Sequence, residues 1–159
     1  NHTPRIIERV QSGKATLGLC AGLLPPHHGL MTFHLFDEPF YIVSKLPLNE
    51  LPPKVITNDM TNPANSYQLS VLEKFGIKPL MEMDAYTAAA QLALGGTGPA
   101  LIPLSIVKTL NIEPQYLFSF PELEGLIRPI HICVRPNSYQ SPRVKTLIES
   151  IVGAVPKAI

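Results

Sequence analysis

The 159 residues carry a formal net charge of +1, with 16% charged and 45% hydrophobic side chains. That length is enough for one ordinary domain or two small lobes with a buried core, and the composition excludes a disordered tail. The basic residues are scattered, so nothing in the charge pattern gives the chain a grip on nucleic-acid phosphates.

The chain opens on Thr3-Pro4, a helix cap followed by proline at the first helical position. Ile6, Ile7 and Val10 then form one apolar face, and Gly13 stops the helix. Residues 16–21 read as a short strand and 22–29 as a loop. Two strand-like runs, 31–36 and 39–44, follow, split by a turn at Asp37-Glu38. A domain that begins on a helix with no strand before it reads as a fragment, so Asn1 is expected to lie inside a longer protein.

Residues 45–53, proline-rich and without periodicity, read as a linker. Beyond it, 54–57 form a strand, 58–62 a polar loop, and 63–75 a helix. That helix has Asn62 as its cap, Leu69 and Leu72 inward, and Gly76 as its stop. A strand at 79–83 leads to a helix at 85–94 capped by Asp84.

The stretch 88–103, reading A-A-A-Q-L-A-L-G-G-T-G-P-A-L-I-P, then passes from a small-residue helix into a buried strand. Its alanines allow close approach to a sheet, and Gly95 suits a left-handed position past the helix end. A short helix at 104–110, a strand near 116–120, a crossing at 122–128, a strand at 130–135 and a helix from Ser141-Pro142 complete the chain. The last helix has Leu147, Ile148, Ile151 and Val152 on one face. Strands alternating with helices predict α/β architecture with a parallel sheet. The order predicts two Rossmann-like lobes joined by a two-segment hinge, residues 1–46 with 129–159 forming lobe I and 47–128 lobe II.

No catalytic set stands out. The cluster Gly95-Gly96-Thr97-Gly98 follows a helix instead of opening one, and no lysine comes after it, so it is structural and not a phosphate loop. His27 and His28 are adjacent in a loop, His2, His34 and His131 lie apart, and no H-x-x-x-H or C-x-x-C spacing exists, so no metal site is expected. Asp37 and Glu38 read as solvated turn residues. Cys20 and Cys133 are too few for a disulfide scaffold, and each sits in an apolar run where a small buried thiol belongs. There is no signal peptide and no run of membrane-spanning length, so a soluble, reducing, cytoplasmic setting is expected. No cofactor is expected.

The informative feature is the set of helix N-termini, which in parallel α/β sheets gather at the carboxyl ends of the strands. Thr3, the loop Asn58, Met60, Thr61 and Asn62, and Tyr86 and Thr87 after Asp84 are the candidate ligand-binding residues. Their hydroxyls, amides and unpaired N–H groups suit a small anionic or polar molecule. The plain alternative is that these residues only cap their helices.

Residues I-I-E-R-V-Q-S-G-K-A-T-L-G-L (6–19), L-F-D-E-P-F-Y-I-V (35–43), L-G-G-T-G-P-A-L-I-P (94–103) and R-P-I-H-I-C-V-R (128–135) stand in one order and spacing. In that order they resemble the effector-binding domain of LysR-type transcriptional regulators. The resemblance implies a fold like a type 2 periplasmic-binding protein, with a small-molecule effector, such as a small organic acid, held in a cleft between the lobes. It implies that Thr3 faces that effector from lobe I and that 58–62 line the cleft from lobe II. It also implies a non-enzymatic sensor, a homodimer or homotetramer, and DNA contact only through a helix-turn-helix domain absent from this stretch. A transporter's solute-binding protein of the same fold is the alternative reading.

Against the family pattern, the first strand, helix and second strand are missing, leaving lobe I incomplete. Ala15-Thr16 replaces an acidic position, and Pro99 stands where an aliphatic residue is common. The resemblance puts Cys20 and Cys133 on neighbouring strands of lobe I. They do not match the paired cysteines of peroxide-sensing members, so no thiol switch is expected.

Overall fold

The computed structural model describes residues 3–24 and 28–155. The expected loop at 22–29 is therefore described only in part, and His2 and His27 lie outside the described residues. In chain order the elements are α1 (Thr3–Gln11), β1 (Leu17–Ala21), β2 (Met31–Val43), β3 (Lys54–Asn58), α2 (Tyr67–Lys74), β4 (Lys78–Met83) and α3 (Tyr86–Leu94). They continue with β5 (Ala100–Pro103), α4 (Leu104–Thr109), β6 (Leu117–Phe118), β7 (Ile127–Val134), α5 (Pro136–Tyr139) and α6 (Pro142–Ala154). Two compact units result, Asn1–Asp37 with Arg128–Ile159, and Glu38–Ile127.

In the first unit β7 lies between β1 and β2, and β1 pairs antiparallel with β7 from Leu17↔Val134 to Ala21↔Ile130. Alternation along these strands sorts the side chains onto two faces. Gly18, Cys20, His131 and Cys133 share one face, and Cys20 and Cys133 pack there with Ile7 of α1. Ile130, Ile132 and Val134 share the other with Ile148 of α6. A Cβ on Gly18 would lie 2.5 Å from Cγ2 of Ile6 and 3.0 Å from Cγ2 of Val10, so α1 rests on bare backbone.

Along α6 the apolar stripe is Val144, Ile148, Ile151 and Val152, continued by Val155 just past the helix end. Leu147, expected inward, falls outside that stripe and is exposed. An open apolar hollow of about 220 Å³ on the α6 side is lined by Leu17, Gly18, Leu19, Leu35, Ile132 and Ile151.

The second unit orders its strands β2-β5-β3-β4, with β6 also paired to β2. β3 runs parallel to β4 and β5, whereas β5 and β6 run antiparallel to β2. The expected all-parallel sheet is thus corrected to a mixed one. The parallel part is confined to β3, β4 and β5, whose connections include crossover helices, while the long β2 meets its partners head to tail. The core joins Ile42, Val43, Val55, Ile56, Leu101 and Ile102 with Ala89, Ala90 and Ala93 of α3, whose small side chains let the helix lie close to the strands.

Several local expectations are also corrected. No turn interrupts β2 at Asp37-Glu38; the strand is continuous, and Pro39, which lacks an N–H, falls just outside the Phe40–Val43 ladder with β5. The helix expected over 63–75 is a 3₁₀ turn, Pro63–Asn65, followed by α2. The break resets the helical phase, so that Gln68 and Leu72 point inward and Leu69 is exposed. Asp84 does not cap α3, whose cap position is Ala85 without a side-chain bond. At the end of α3 Gly95 stays right-handed with φ −80°, and Gly96 takes the left-handed turn at φ +93°.

Replacing Gly18 with alanine forces α1 away from β1, because the neighbour is a branched methyl near the helix backbone and not a flexible tip. The expected cost is about 1–3 kcal/mol, as for other overpacked cores, read as a lowered denaturation midpoint in urea.

Candidate functional site

Because β3, β4 and β5 are parallel, their carboxyl ends share one edge of the second unit, and the segments that follow them start there. This edge gathers Thr57 and Asn58 from the end of β3, the loop 59–62, Tyr86 and Thr87 from the start of α3, and Ser105 from the start of α4.

The loop is held by its own hydrogen bonds. Asp59 Oδ1 accepts from the Thr61 N–H at 2.9 Å and from the Thr61 hydroxyl at 2.6 Å. Asn65 donates its side-chain N–H to the Asp59 carbonyl at 2.9 Å. Asn62 Oδ1 accepts from Ala64 N at 3.0 Å and so caps the 3₁₀ turn, not a long helix. Met60 is buried under this loop and Thr61 is exposed. At α3, Tyr86 is buried and its hydroxyl accepts from Gln68 Nε2 at 2.8 Å, tying α2 to α3, while its ring meets Phe40 at 6.3 Å. Thr87 is exposed in the first turn of α3, next to N–H groups that the helix leaves without partners.

Of the residues expected to bind ligand, Asn58, Met60, Thr61, Asn62, Tyr86 and Thr87 therefore sit on this one edge. Thr3 belongs to the first unit, where its hydroxyl donates to the Ala21 carbonyl at 2.6 Å and accepts from Ala21 N at 3.1 Å.

Three further residues, Thr57, Gln68 and Glu38, enter that the sequence did not single out for binding. Thr57 Oγ1, Asn58 Oδ1 and Gln68 Oε1 are buried with no hydrogen-bond partner. Buried polar atoms are nearly always paired, so this group at a strand edge is unusual. Glu38, expected in a solvated turn, is 1% exposed. Its Oε1 accepts from Ser105 N at 2.9 Å and from the Ser105 hydroxyl at 2.8 Å, which caps α4. The only sequence signal for Glu38 was its place within an apolar run, and for Gln68 its position one residue before Leu69.

The first unit holds a separate polar group. His34 Nε2 lies 2.8 Å from Asp37 Oδ1, and the His34 and His131 rings meet edge to face at 5.4 Å. Burial pushes the His131 imidazole below its usual range, the His34 ring adds to that effect, and Asp37 works against it. His28 is engaged locally, its Nδ1 accepting from Leu30 N at 2.9 Å. Among the described residues no three histidine, cysteine or carboxylate side chains are grouped to hold a metal ion.

Two outcomes are expected. Glu38→Ala leaves the Ser105 donors unmet and costs about 1.5–3 kcal/mol, the range for hydrogen bonds to a charged group, measured by chemical denaturation. His131 is the acid-sensitive group. The unfolded chain binds its proton near pH ~6.5, whereas the folded chain resists it, so the His131 contribution is complete above that pH and is lost as pH falls below it. His131→Gln flattens the dependence of melting temperature on pH over this acidic window.

The sequence profile of the LysR substrate binding domain matches residues 1–156. The chain is 65% identical, over all 159 residues, to an uncharacterized HTH-type transcriptional regulator of Vibrio cholerae serotype O1, and it spans 56% of that protein's length. Among solved structures, it resembles the effector binding domain of QuiR in complex with shikimate, with TM-score 0.74, 17% identity, and coverage of 96% of this chain and 78% of that one. The Synechocystis PCC6803 CcmR regulatory domain in complex with 2-PG gives TM-score 0.72 at 15% identity, covering 100% of this chain and 83% of that one. CbnR, a LysR family transcriptional regulator, gives 0.71 at 15% identity, covering 98% and 58%. At these identities the structures speak for the fold, a mixed α/β arrangement of the type 2 periplasmic-binding-protein kind, and the profile match speaks for the family. The chain belongs to the LysR substrate-binding domain family.

Proposed function

We propose that the carboxyl edge of β3, β4 and β5 is the effector-contacting surface of the second unit, and that the effector is a small organic acid or a similarly polar metabolite. The observation that carries this is the trio of buried oxygens without partners, on Thr57, Asn58 and Gln68, beside the first turn of α3. The N–H groups of that turn and the helix dipole favour an anionic group, and Thr87 adds an exposed hydroxyl. The buried oxygens suit hydroxyl or amine donors on the same ligand. Asp59 and Glu38 are engaged internally and hold the edge in shape without facing ligand as free charges.

The complexes of QuiR with shikimate and of CcmR with 2-PG support a small-molecule role for domains of this fold. In the full-length protein, the effector would act by binding one arrangement of the regulator better than another, and its differential affinity sets how far it biases DNA binding by a helix-turn-helix domain. That protein would act as a homodimer or homotetramer.

A panel of hydroxylated organic acids, screened by thermal shift against the full-length regulator, is expected to contain members that raise its melting temperature. Asn58→Ala or Thr87→Ala should abolish that rise while leaving the ligand-free melting temperature within a few degrees of wild type, and Asn62→Ala should lower both. An undiminished rise in the Asn58 and Thr87 variants rejects this edge as the binding surface.

A further inference from the structure

The α1 face of the first unit holds a pair of thiols that effector binding leaves unused. Cys20 and Cys133 sit on neighbouring antiparallel strands, with His131 opposite Cys20 and Gly18 opposite Cys133. Both side chains leave the same face, and their sulfurs lie 2.8 Å apart. Both are free thiols, wholly buried beneath α1. A disulfide bond measures about 2.05 Å, so bonding asks the sulfurs to approach by only ~0.8 Å, within the reach of small rotations about the two Cα–Cβ bonds.

We propose that Cys20 and Cys133 are a reversible disulfide site, oxidised by a low-molecular-weight disulfide. The Cys133 thiolate attacks one sulfur of the oxidant, forming a mixed disulfide and releasing one thiolate. Cys20 gives up its proton and attacks the Cys133 sulfur, the Cys20–Cys133 bond forms, and the second thiolate leaves. Two protein thiols are oxidised, one external disulfide is reduced, and two external thiols carry away the two protons. Either sulfur can donate in the contact between them, so the exchange can equally begin at Cys20 and be resolved by Cys133. Burial disfavours the thiolate at both positions, so the exchange waits on opening of α1.

Access is the controlling step. An oxidant reaches the pair only when α1 lifts, and α1 is held by Ile7, by Val10 and by the Thr3 hydroxyl bound to Ala21, the residue after Cys20. The bond would also close a loop that contains the entire second unit, because Glu38–Ile127 lies between the two cysteines in the chain.

The test treats reduced full-length protein with oxidised glutathione at mildly alkaline pH, quenches in acid, alkylates the denatured chain and maps its tryptic peptides by mass. The expected result is one linked pair, the peptides of Cys20 and Cys133, lighter by two hydrogens and separated again by dithiothreitol. Cys20→Ser should stop at a glutathione adduct on Cys133, and Thr3→Ala should speed closure several-fold by loosening α1. Both cysteines fully alkylated after treatment, or either linked instead to another cysteine, overturns the proposal; the wild-type map decides this even if a variant fails to fold. An unchanged rate in Thr3→Ala overturns control of access by α1.

Discussion

The second unit depends on one buried carboxyl group. β2 pairs with β5 from Phe40↔Pro103 to Val43↔Ala100. Continuing that register by two residues sets Glu38 opposite Ser105, where β5 has already become α4. The ladder cannot go on by backbone pairing, because the partner chain has turned into a helix. Glu38 replaces it with a side chain, accepting from the Ser105 N–H and hydroxyl. A carboxyl group this deeply buried is tolerable only with such partners, and a helix N-terminus supplies both donors and a favourable dipole. One contact thereby fixes the course of β2, the end of β5 and the start of α4. Since β5 lies between β2 and β3, it also sets where the parallel strands end and the candidate edge begins.

That contact explains why the sequence misled at residues 37–38. Asp-Glu followed by proline carries every local mark of a turn, yet the backbone stays extended through it. What keeps the strand straight is a partner 67 residues away in the chain, which no short window contains. The same holds for Gln68. A helix read from Pro63 places Leu69 inward, but the 3₁₀ turn restarts the helix at Tyr67, and a hydrogen bond to Tyr86 rewards the polar residue for pointing in. Asp84 failed as a cap for a simpler reason, since the helix begins one residue later than its most polar neighbour suggests. Some signals borne by the backbone held: glycines close α1 and α2, and the alanines of α3 face the strands. Others moved: the left-handed turn past α3 falls at Gly96 instead of Gly95, and Thr3 stands inside α1 with its hydroxyl on Ala21.

The first unit shows how residue size, more than polarity, assigns the two faces of its strands. On the α6 side the strands carry Ile130, Ile132 and Val134, and the helix answers with a matching stripe. On the α1 side Gly18 lets Ile6 and Val10 approach the backbone directly, which leaves little depth beside it. Cysteine fits such a layer because it is small, apolar enough to be buried, and unbranched. Two of them on diagonal positions of an antiparallel pair fill the space, and the crowding that makes α1 lie close also brings the sulfurs together. The thiol pair and the missing side chain at Gly18 are consequences of one steric requirement.

The candidate edge follows the opposite logic. In the interior, a hydroxyl or amide without a partner costs about 1–3 kcal/mol, and folded chains rarely leave several together. Thr57, Asn58 and Gln68 do so at one end of β3 and the start of α2, while the adjoining loop makes hydrogen bonds of its own through Asp59, Asn62 and Asn65. Those bonds matter, because a loop that borrowed the strand-end oxygens for its own bonds would leave nothing for a ligand. With Asp59 turned onto Thr61 and Asn62 onto Ala64, the strand-end oxygens stay available and rigidly placed. A polar molecule that supplies the missing donors recovers that desolvation cost on binding, so the edge gains most from a ligand with several hydroxyl or amine groups and least from one that is apolar.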